Sequence, residues 1–196
     1  MCNYLLIAIS IILQYLAGMK KLTHDQISRN RAPAGEISSI RRLPLFALAE
    51  NIRSLYNVGS IFRTADAILL GKLILTGYTP IPPRKEIEKT ALGSTATVPW
   101  EYNKDPIAAI RALRTAGVRI VSLEHTDRSV PHTSVQLAEF PLCLVIGNEI
   151  TGVSQEVLNE CDGAIEIPMF GIKHSLNVAV AFGIAVFELA RVCNQR

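Results

Sequence analysis

The sequence predicts an α/β domain in which helices flank a mostly parallel β-sheet. Short apolar runs alternate along the chain with segments whose apolar residues recur at helical spacing. Glycine, proline or asparagine stands at many of the changes between them, as expected where strands and helices end. Alternating strands and helices build parallel sheets, which bind ligands beyond the carboxyl ends of their strands.

Five apolar runs have the length and composition of buried strands. They are residues 45–49, 73–76, 118–123, 142–146 and 164–167. Loops follow the last three runs at Leu123, Ile146 and Ile167. These three loops are the predicted ligand-binding loops, because they leave the carboxyl edge of the sheet.

Five helices are predicted between and after these strands. The first opens at Asn57 and ends near Gly71, with Ile61, Ala65 and Ile68 spaced for one face. The others cover residues 86–92, 105–117, 154–159 and 175–191. The 105–117 helix has a proline in its first turn, where the missing N–H costs nothing. The last helix is so apolar that we expect it to be buried. Its 178–187 stretch is too short to cross a bilayer.

Composition excludes several classes of protein. The chain has 196 residues, of which 49% are hydrophobic and 19% charged, so it is not a disordered chain. A net charge of +3 permits an anionic partner without requiring one. The four cysteines lack CxxC spacing and the four histidines lack metal-ligand spacing. We therefore expect no metal site, and buried thiols in a reducing cytoplasm.

The amino-terminal 44 residues differ from the rest. Residues 1–18 are apolar and carry no charge, and Met19 is followed by two lysines. We favour Met19 as the physiological start, with 1–18 an extension that the native protein lacks; a membrane anchor is the alternative. Residues 19–44 form a basic arm with one short helix at most, either solvated or touching phosphate. The globular domain is predicted at 45–196.

Common nucleotide and hydrolase motifs are missing. No GxGxxG follows a strand and no GxSxG elbow occurs, which disfavours a dinucleotide oxidoreductase and an α/β hydrolase. Gly147 and Gly152 have the spacing of a phosphate-binding loop, but Val153 and Ser154 stand where lysine and serine or threonine are needed.

Three other segments, in order, carry a resemblance. They are residues 57–66 (NVGSIFRTAD), 144–153 (LVIGNEITGV) and 167–181 (IPMFGIKHSLNVAVA). Together they resemble the three motifs of the SpoU (TrmH-type) RNA 2′-O-ribose methyltransferases of the SPOUT class, over residues 45–192. The resemblance implies an α/β sheet with a carboxyl-terminal trefoil knot and a homodimer with active sites at its interface, so that the last helix would lie in the core and in the dimer interface. It also implies methyl transfer from S-adenosylmethionine to a ribose 2′-hydroxyl of tRNA or rRNA.

The resemblance implies five catalytic residues: Arg63, Asn57, Glu149, Ser175 and Asn177. Arg63 acts either as a base or as a grip on the phosphate beside the target ribose; the grip is favoured because guanidinium does not readily lose its proton. Glu149 would orient Arg63 or Asn177. Its alternative is to neutralise the start of the helix near residue 154.

Capping is the alternative role for two of these residues, since Asn57 and Ser175 stand where helices are predicted to begin. Asn177 would brace the knot or contact RNA. Lys173 and His174, just before Ser175, are further candidates for contact with an RNA phosphate.

The resemblance also implies five cofactor-binding residues, which supply backbone contacts and apolar walls for the adenine. They are Leu123, Gly147, Ile167, Met169 and Leu176. The alternative is that these side chains are plain core. A catalytically inactive RNA-binding member of the same fold is the alternative function. The RNA and the nucleotide are not specified by these motifs.

Overall fold

The computed structural model describes residues 19–28 and 40–194. The chain divides into two compact units, Met1–Ile40 and Arg41–Arg196. Among the described residues of the first unit, a short helix, α1 (His24–Ser28), has every residue exposed. Our expectations for residues 1–18, and for the arm arginines at 29 and 31, lie outside the described residues.

Seven strands form one sheet in the second unit, and every neighbouring pair is parallel. The strands are β1 (Leu45–Glu50), β2 (Lys72–Thr76), β3 (Trp100–Asn103), β4 (Arg119–Leu123), β5 (Val130–Pro131), β6 (Leu142–Ile146) and β7 (Gly163–Glu166). Their spatial order is β3-β2-β1-β6-β4-β7-β5. The predicted parallel sheet is confirmed, and all five predicted strands are present.

Five helices cover the two faces of this sheet. They are α2 (Leu55–Ala67), α3 (Lys85–Ala91), α4 (Pro106–Thr115), α5 (Gln155–Leu158) and α6 (Val178–Cys193). Alternation along the strands separates two cores. One core joins the sheet to α2, α3 and α6, and the other joins it to α4 and α5. Short 3₁₀ turns at Ser94–Ala96, His132–Ser134 and Leu137–Glu139 complete the chain path.

Two edge strands were missed by sequence reasoning. β3 has the sequence WEYN, which mixes charge and aromatics, and its side chains are exposed or half-buried. β5 has only two residues, both exposed. An edge strand has one neighbour and loses little by being polar, so neither has the apolar pattern by which strands were predicted.

Within one chain, the last helix is buried on one face and exposed on another. Phe182, Val186 and Leu189 are buried in the core, as expected. Val180 and Phe187, however, are 52% and 53% exposed on another face of α6. No other part of the described chain covers this apolar face of α6.

Near the carboxyl edge of the sheet, the spatial order of the strands differs from their order along the chain. Because β7 lies between β4 and β5, the chain leaving β4 passes β7 before it returns to β6. After β7 the chain runs back to α6, which packs against α2 and β6. The carboxyl-terminal trefoil knot that the resemblance implies stays a prediction. Within the described ranges, no helix has the length and apolar character needed to cross a bilayer.

Candidate active site

A cavity of about 290 Å³ lies beyond the carboxyl ends of β4, β6 and β7. Its lining residues come from three loops, within 123–125, 146–152 and 166–181. These are the three loops predicted to bind a ligand, and parallel strands bring them together because their carboxyl ends meet at one edge.

All five predicted cofactor residues line this cavity: Leu123, Gly147, Ile167, Met169 and Leu176. The glycine is required by a close approach of backbone. A Cβ on Gly147 would lie 2.2 Å from the backbone of Gly152, so no side chain fits there. The 148–152 turn closes through paired hydrogen bonds between the backbones of Asn148 and Gly152, at 2.9 and 3.0 Å. The loop thus offers backbone, not side chains, at that wall.

Two further carboxylates at the cavity were not predicted. Glu124 accepts hydrogen bonds from the backbone N–H of Val153 at 3.0 Å and of His125 at 2.9 Å, and so ties the β4 and β6 loops together. Glu166 accepts from the Ser129 hydroxyl and lies 3.2 Å from His125 Nδ1. These hydrogen bonds, the serine's first, hold the pKa of Glu166 below its ordinary value.

A signal for these residues was present in the sequence. Glu124 and His125 directly follow a predicted strand, and Glu166 is the one charged residue of the otherwise apolar 164–167 run. A charge inside a buried-strand pattern indicates a site.

Glu149 binds the beginning of α2. Its two carboxylate oxygens accept from the backbone N–H groups of Arg53 at 2.9 Å and Ser54 at 3.0 Å, and from Asn57 Nδ2 at 2.9 Å. Partial burial raises the pKa of Glu149, but these hydrogen bonds outweigh it and leave the pKa below its ordinary value. The carboxylate is therefore held ionised and oriented.

Two alternative capping roles are wrong. Asn57 does not cap α2: the helix begins at Leu55, and Ser54 is the cap, accepting from the Asn57 N–H. Glu149 does not neutralise the start of the helix that follows Ser154. The N–H and the hydroxyl of Ser154 both donate to Glu50, at 3.0 and 2.6 Å. Glu50, at the end of β1, is therefore the carboxylate at the start of that helix.

Asn177 is the cap of α6, which corrects the capping role considered for Ser175. Its Oδ1 accepts from the N–H groups of Ala179 at 3.0 Å and Val180 at 3.4 Å. Its Nδ2 donates to Asn57 Oδ1 at 3.1 Å. Asn57 thus joins Glu149 to Asn177, and one residue from each of the three motif segments belongs to a single hydrogen-bonded chain.

Ser175 is exposed and lines the cavity. Its neighbour His174 also lines it, whereas Lys173 is exposed and does not. Leu176 separates Ser175 from Asn177 and forms part of the cavity wall. The turn before α6 therefore presents a hydroxyl and an imidazole at the cavity mouth.

Arg63 is not brought to this cavity within one chain. It lies on the exposed side of α2, and within residues 40–194 its guanidinium has no carboxylate or other hydrogen-bond partner. Of the two roles considered for Glu149, the contacts favour orienting Asn177, through Asn57. In the described part of the chain, no cluster of side chains suited to a metal ion occurs.

Comparisons with known proteins agree with this geometry. The chain is 34% identical over 157 residues to the tRNA (guanosine(18)-2′-O)-methyltransferase of Aquifex aeolicus, covering 80% of this chain and 73% of that protein. It is 32% identical to the same enzyme of Thermus thermophilus, covering 85% and 84%. Among solved structures, the AdoMet-bound rRNA methyltransferase from Sinorhizobium meliloti superposes with a TM-score of 0.72 at 29% identity, covering 86% of this chain and 70% of that one.

A family model also matches most of the chain. Residues 44–187 match the SpoU rRNA Methylase family, which includes all three motif segments and the whole parallel sheet. The predicted resemblance over 45–192 is confirmed within a few residues. With the motif segments meeting at one cavity, this chain belongs to the SpoU rRNA methylase family.

Proposed function

We propose that this protein transfers a methyl group from S-adenosylmethionine to a ribose 2′-hydroxyl of tRNA or rRNA. The observation that carries the proposal is the chain Glu149–Asn57–Asn177, which joins the three motif segments beside the cavity. The relatives, named as tRNA or rRNA 2′-O-methyltransferases, support catalysis over the alternative of an inactive RNA-binding protein.

The residues at the cavity fit S-adenosylmethionine. Leu123, Ile167, Met169 and Leu176 supply apolar walls for adenine, and Gly147 supplies open backbone. The cavity volume of about 290 Å³ is near the lower end for small-molecule pockets, which suits a compact, bent ligand. Glu166, held ionised at the rim, complements a cationic ligand. When bound, the cofactor supplies a methyl group on a positively charged sulfur, which leaves as the neutral thioether.

The remaining motif residues then position the RNA. Ser175 stands at the cavity mouth, where its hydroxyl can hydrogen-bond the ribose or its phosphate. Asn177 and Asn57 hold the backbone that presents it, since Asn177 caps α6 and Asn57 fixes Asn177. Orienting a weak nucleophile beside its methyl donor accounts for a large share of such catalysis.

A homodimer completes this arrangement. Arg63 is exposed on α2 and does not line its own cavity. The next residue, Thr64, lies beside Gly183 of α6. On α6, Val180, Ile184 and Phe187 form an exposed apolar face at i, i+4 and i+7 spacing. We infer that a second copy covers this face and that Arg63 grips phosphate at the shared site. A cytoplasmic location and the carboxyl-terminal knot belong to the same proposal.

The test uses purified protein with tritiated S-adenosylmethionine and total tRNA or rRNA from cells lacking the protein. We expect tritium in RNA, in dinucleotides that resist alkali, because a 2′-O-methyl group blocks cleavage at that ribose. RNA binding without methyl transfer would establish the inactive alternative. Calorimetry with S-adenosylmethionine and NADH provides a second test, since binding of NADH alone would overturn the cofactor assignment.

A further inference from the structure

Charge is distributed unevenly along the chain. Residues 1–100 contain twelve lysines and arginines against six acidic residues, whereas residues 101–196 contain eight against eleven. The net charge of +3 therefore conceals a basic half and an acidic half. Asymmetry of this kind is typical of a protein with one surface for a polyanion.

Ion pairing follows the same division. Within residues 101–194, every arginine lies within 4 Å of a carboxylate: Arg111, Arg114, Arg119, Arg128 and Arg191. Within residues 41–100, no arginine does, and Lys72 is the one lysine there with a carboxylate partner. Within residues 41–100, most of the positive charge is therefore not paired with a carboxylate of the described chain.

Five of these unpaired cations lie on or beside two packed helices. Arg53 directly precedes α2, Arg63 lies on it, Arg84 directly precedes α3, and Lys85 and Lys89 lie on α3; all five are exposed. We call these five residues the basic surface. Arg41, Lys104 and Lys173 also lack a carboxylate partner within the described residues, but they lie on separate segments.

Close packing holds the two helices together. A Cβ on Gly59 of α2 would lie 2.3 Å from the Ile87 carbonyl oxygen of α3, and Thr90 Oγ1 donates to the Tyr56 carbonyl at 3.0 Å. Lys85 and Lys89, four residues apart, share a face of α3, and Ile87 lies buried on a different side. The two lysines consequently point to solvent and not into the α2–α3 contact.

Hydrogen bonds connect this region to the candidate active site. The 78–79 segment is bonded to the 51–52 segment, with Tyr78 N–H on Asn51 Oδ1 at 3.1 Å and Ile52 N–H on Thr79 Oγ1 at 3.0 Å. The Arg53 N–H donates to Glu149. The basic surface therefore begins at Arg53, the residue whose N–H contacts Glu149.

Exposed aromatic rings accompany the cations. Tyr56 is 48% exposed on α2, and Tyr78 is 62% exposed. The Tyr78 hydroxyl accepts from Asn148 Nδ2 at 2.8 Å, which fixes the ring while leaving its face open. Cations beside open aromatic faces are the combination that holds single-stranded or looped RNA, through phosphate contacts and base stacking.

We propose that the basic surface binds the RNA backbone next to the nucleotide to be methylated. The proposal rests on the proposed function for the identity of the polyanion, and it assigns the docking path, which the three motifs leave open. Each phosphate contacted by one of these side chains releases counterions, so binding through this surface weakens as salt rises.

The test compares two double variants that each remove two exposed positive charges. Lys85→Gln with Lys89→Gln acts on the basic surface, and Lys104→Gln with Arg128→Gln is the matched control elsewhere. The probe is fluorescein-labelled total tRNA from cells lacking the protein, with anisotropy measured from about 50 to about 250 mM KCl. Affinity for S-adenosylmethionine is measured alongside by calorimetry.

We expect the first variant to bind tRNA several-fold more weakly, with the slope of log K against log salt smaller by about 1.4, roughly 0.7 for each lost phosphate contact. The control and both cofactor affinities should stay at the wild-type values. An unchanged slope in the first variant, or equal weakening in both, overturns the proposal. If the double variant unfolds, as judged by circular dichroism, Arg84→Gln repeats the test with an expected decrease in slope of about 0.7, and an unchanged slope again overturns the proposal.

The two proposals fail separately. If the wild-type protein transfers no methyl group, but the first variant still binds tRNA more weakly and with a smaller salt slope, the docking surface is supported and the proposed function is wrong. If the wild-type protein methylates RNA and the first variant binds tRNA normally, the proposed function is supported and the docking surface is wrong.

Discussion

Asn57 Nδ2 lies 2.9 Å from Glu149 Oε1, across 92 residues of chain. Because an ionised carboxylate only accepts, Asn57 must present its NH₂ group to Glu149 and its oxygen to Asn177. The NH₂ group of Asn177 is used there, which leaves its oxygen for the N–H groups of α6. The Glu149 carboxylate thus sets the direction of each hydrogen bond in the chain that runs through Asn57 and Asn177 to α6.

Replacing Glu149 by glutamine tests this directional chain. Glutamine keeps the shape, but its NH₂ group would face the N–H of Arg53 or Ser54, or the NH₂ of Asn57. We expect a loss of about 1 kcal/mol in the free energy of unfolding, as for a lost helix cap, and a roughly 10²-fold lower kcat from misplaced groups. Denaturant melts and methyl-transfer rates measure the two. Glu156→Gln, at an exposed position of α5, is the control. A fully active Glu149→Gln protein would contradict the assignment.

The same carboxylate predicts a pH dependence of stability. Burial raises the pKa of Glu149, but the hydrogen bonds from Arg53, Ser54 and Asn57 hold it below its ordinary value in the folded protein. A lowered folded-state pKa means that the group stabilises the fold above the unfolded value of about 4.3 and loses that contribution as pH falls through the folded value. Between about pH 6 and about pH 3, wild-type protein should therefore lose more unfolding free energy than Glu149→Gln. Parallel losses in both proteins would refute the linkage.

Much of the fold was predictable because local pattern and global topology agree. The 142–146 run is apolar at every position and became β6, buried throughout between β1 and β4. Pro106 marked the start of α4, where its missing N–H is harmless. The edge strands were not predictable, since a polar edge strand such as β3 has no apolar pattern.

The site divides in the same way. The resemblance, not the apolar pattern, singled out the five expected cofactor residues, and all five line the cavity. The apolar runs predicted only that their loops leave the carboxyl edge of the sheet. The partners of Glu149 and Glu50 were not predicted, because pairings across 92 to 104 residues leave no local trace. Ser54 was missed as the α2 cap because Asn57, three residues later, also has a capping side chain.

Leu176→Arg is expected to weaken S-adenosylmethionine binding. Leu176 forms part of the cavity wall and is 38% exposed, so arginine there places a charge against an apolar ligand surface. We expect the Kd from calorimetry to rise at least about tenfold, equivalent to roughly 1.4 kcal/mol. Leu137→Arg is the matched control, since Leu137 is similarly exposed and does not line the cavity. Equal Kd values for Leu176→Arg and wild type would remove this residue from the site.

Phe187→Asp should separate the proposed homodimer. Val180, Ile184 and Phe187 form the exposed apolar face of α6, and a carboxylate on this face would be buried without a partner in the dimer. Sedimentation velocity should give a dimer for wild type and a monomer for the variant, with methyl transfer lost as well. Leu137→Asp, on a different surface, should remain dimeric. A monomeric wild-type protein with full activity would disprove the shared site.

Arg63→Ala should remove methyl transfer while leaving cofactor affinity unchanged. Arg63 is exposed and does not line the cavity, so S-adenosylmethionine binding does not depend on it within one chain. We expect kcat/KM for RNA to fall roughly 10²-fold or more, as when a group that stabilises developing charge is lost. If Arg63 grips phosphate, Arg63→Lys keeps part of the activity, because lysine also binds phosphate as a point charge. If Arg63 is the base, Arg63→Lys should shift the pH–rate profile instead. Arg111→Ala, which breaks a surface pair with Glu160, is the control for loss of an exposed arginine. Full activity of Arg63→Ala would exclude Arg63 from both roles.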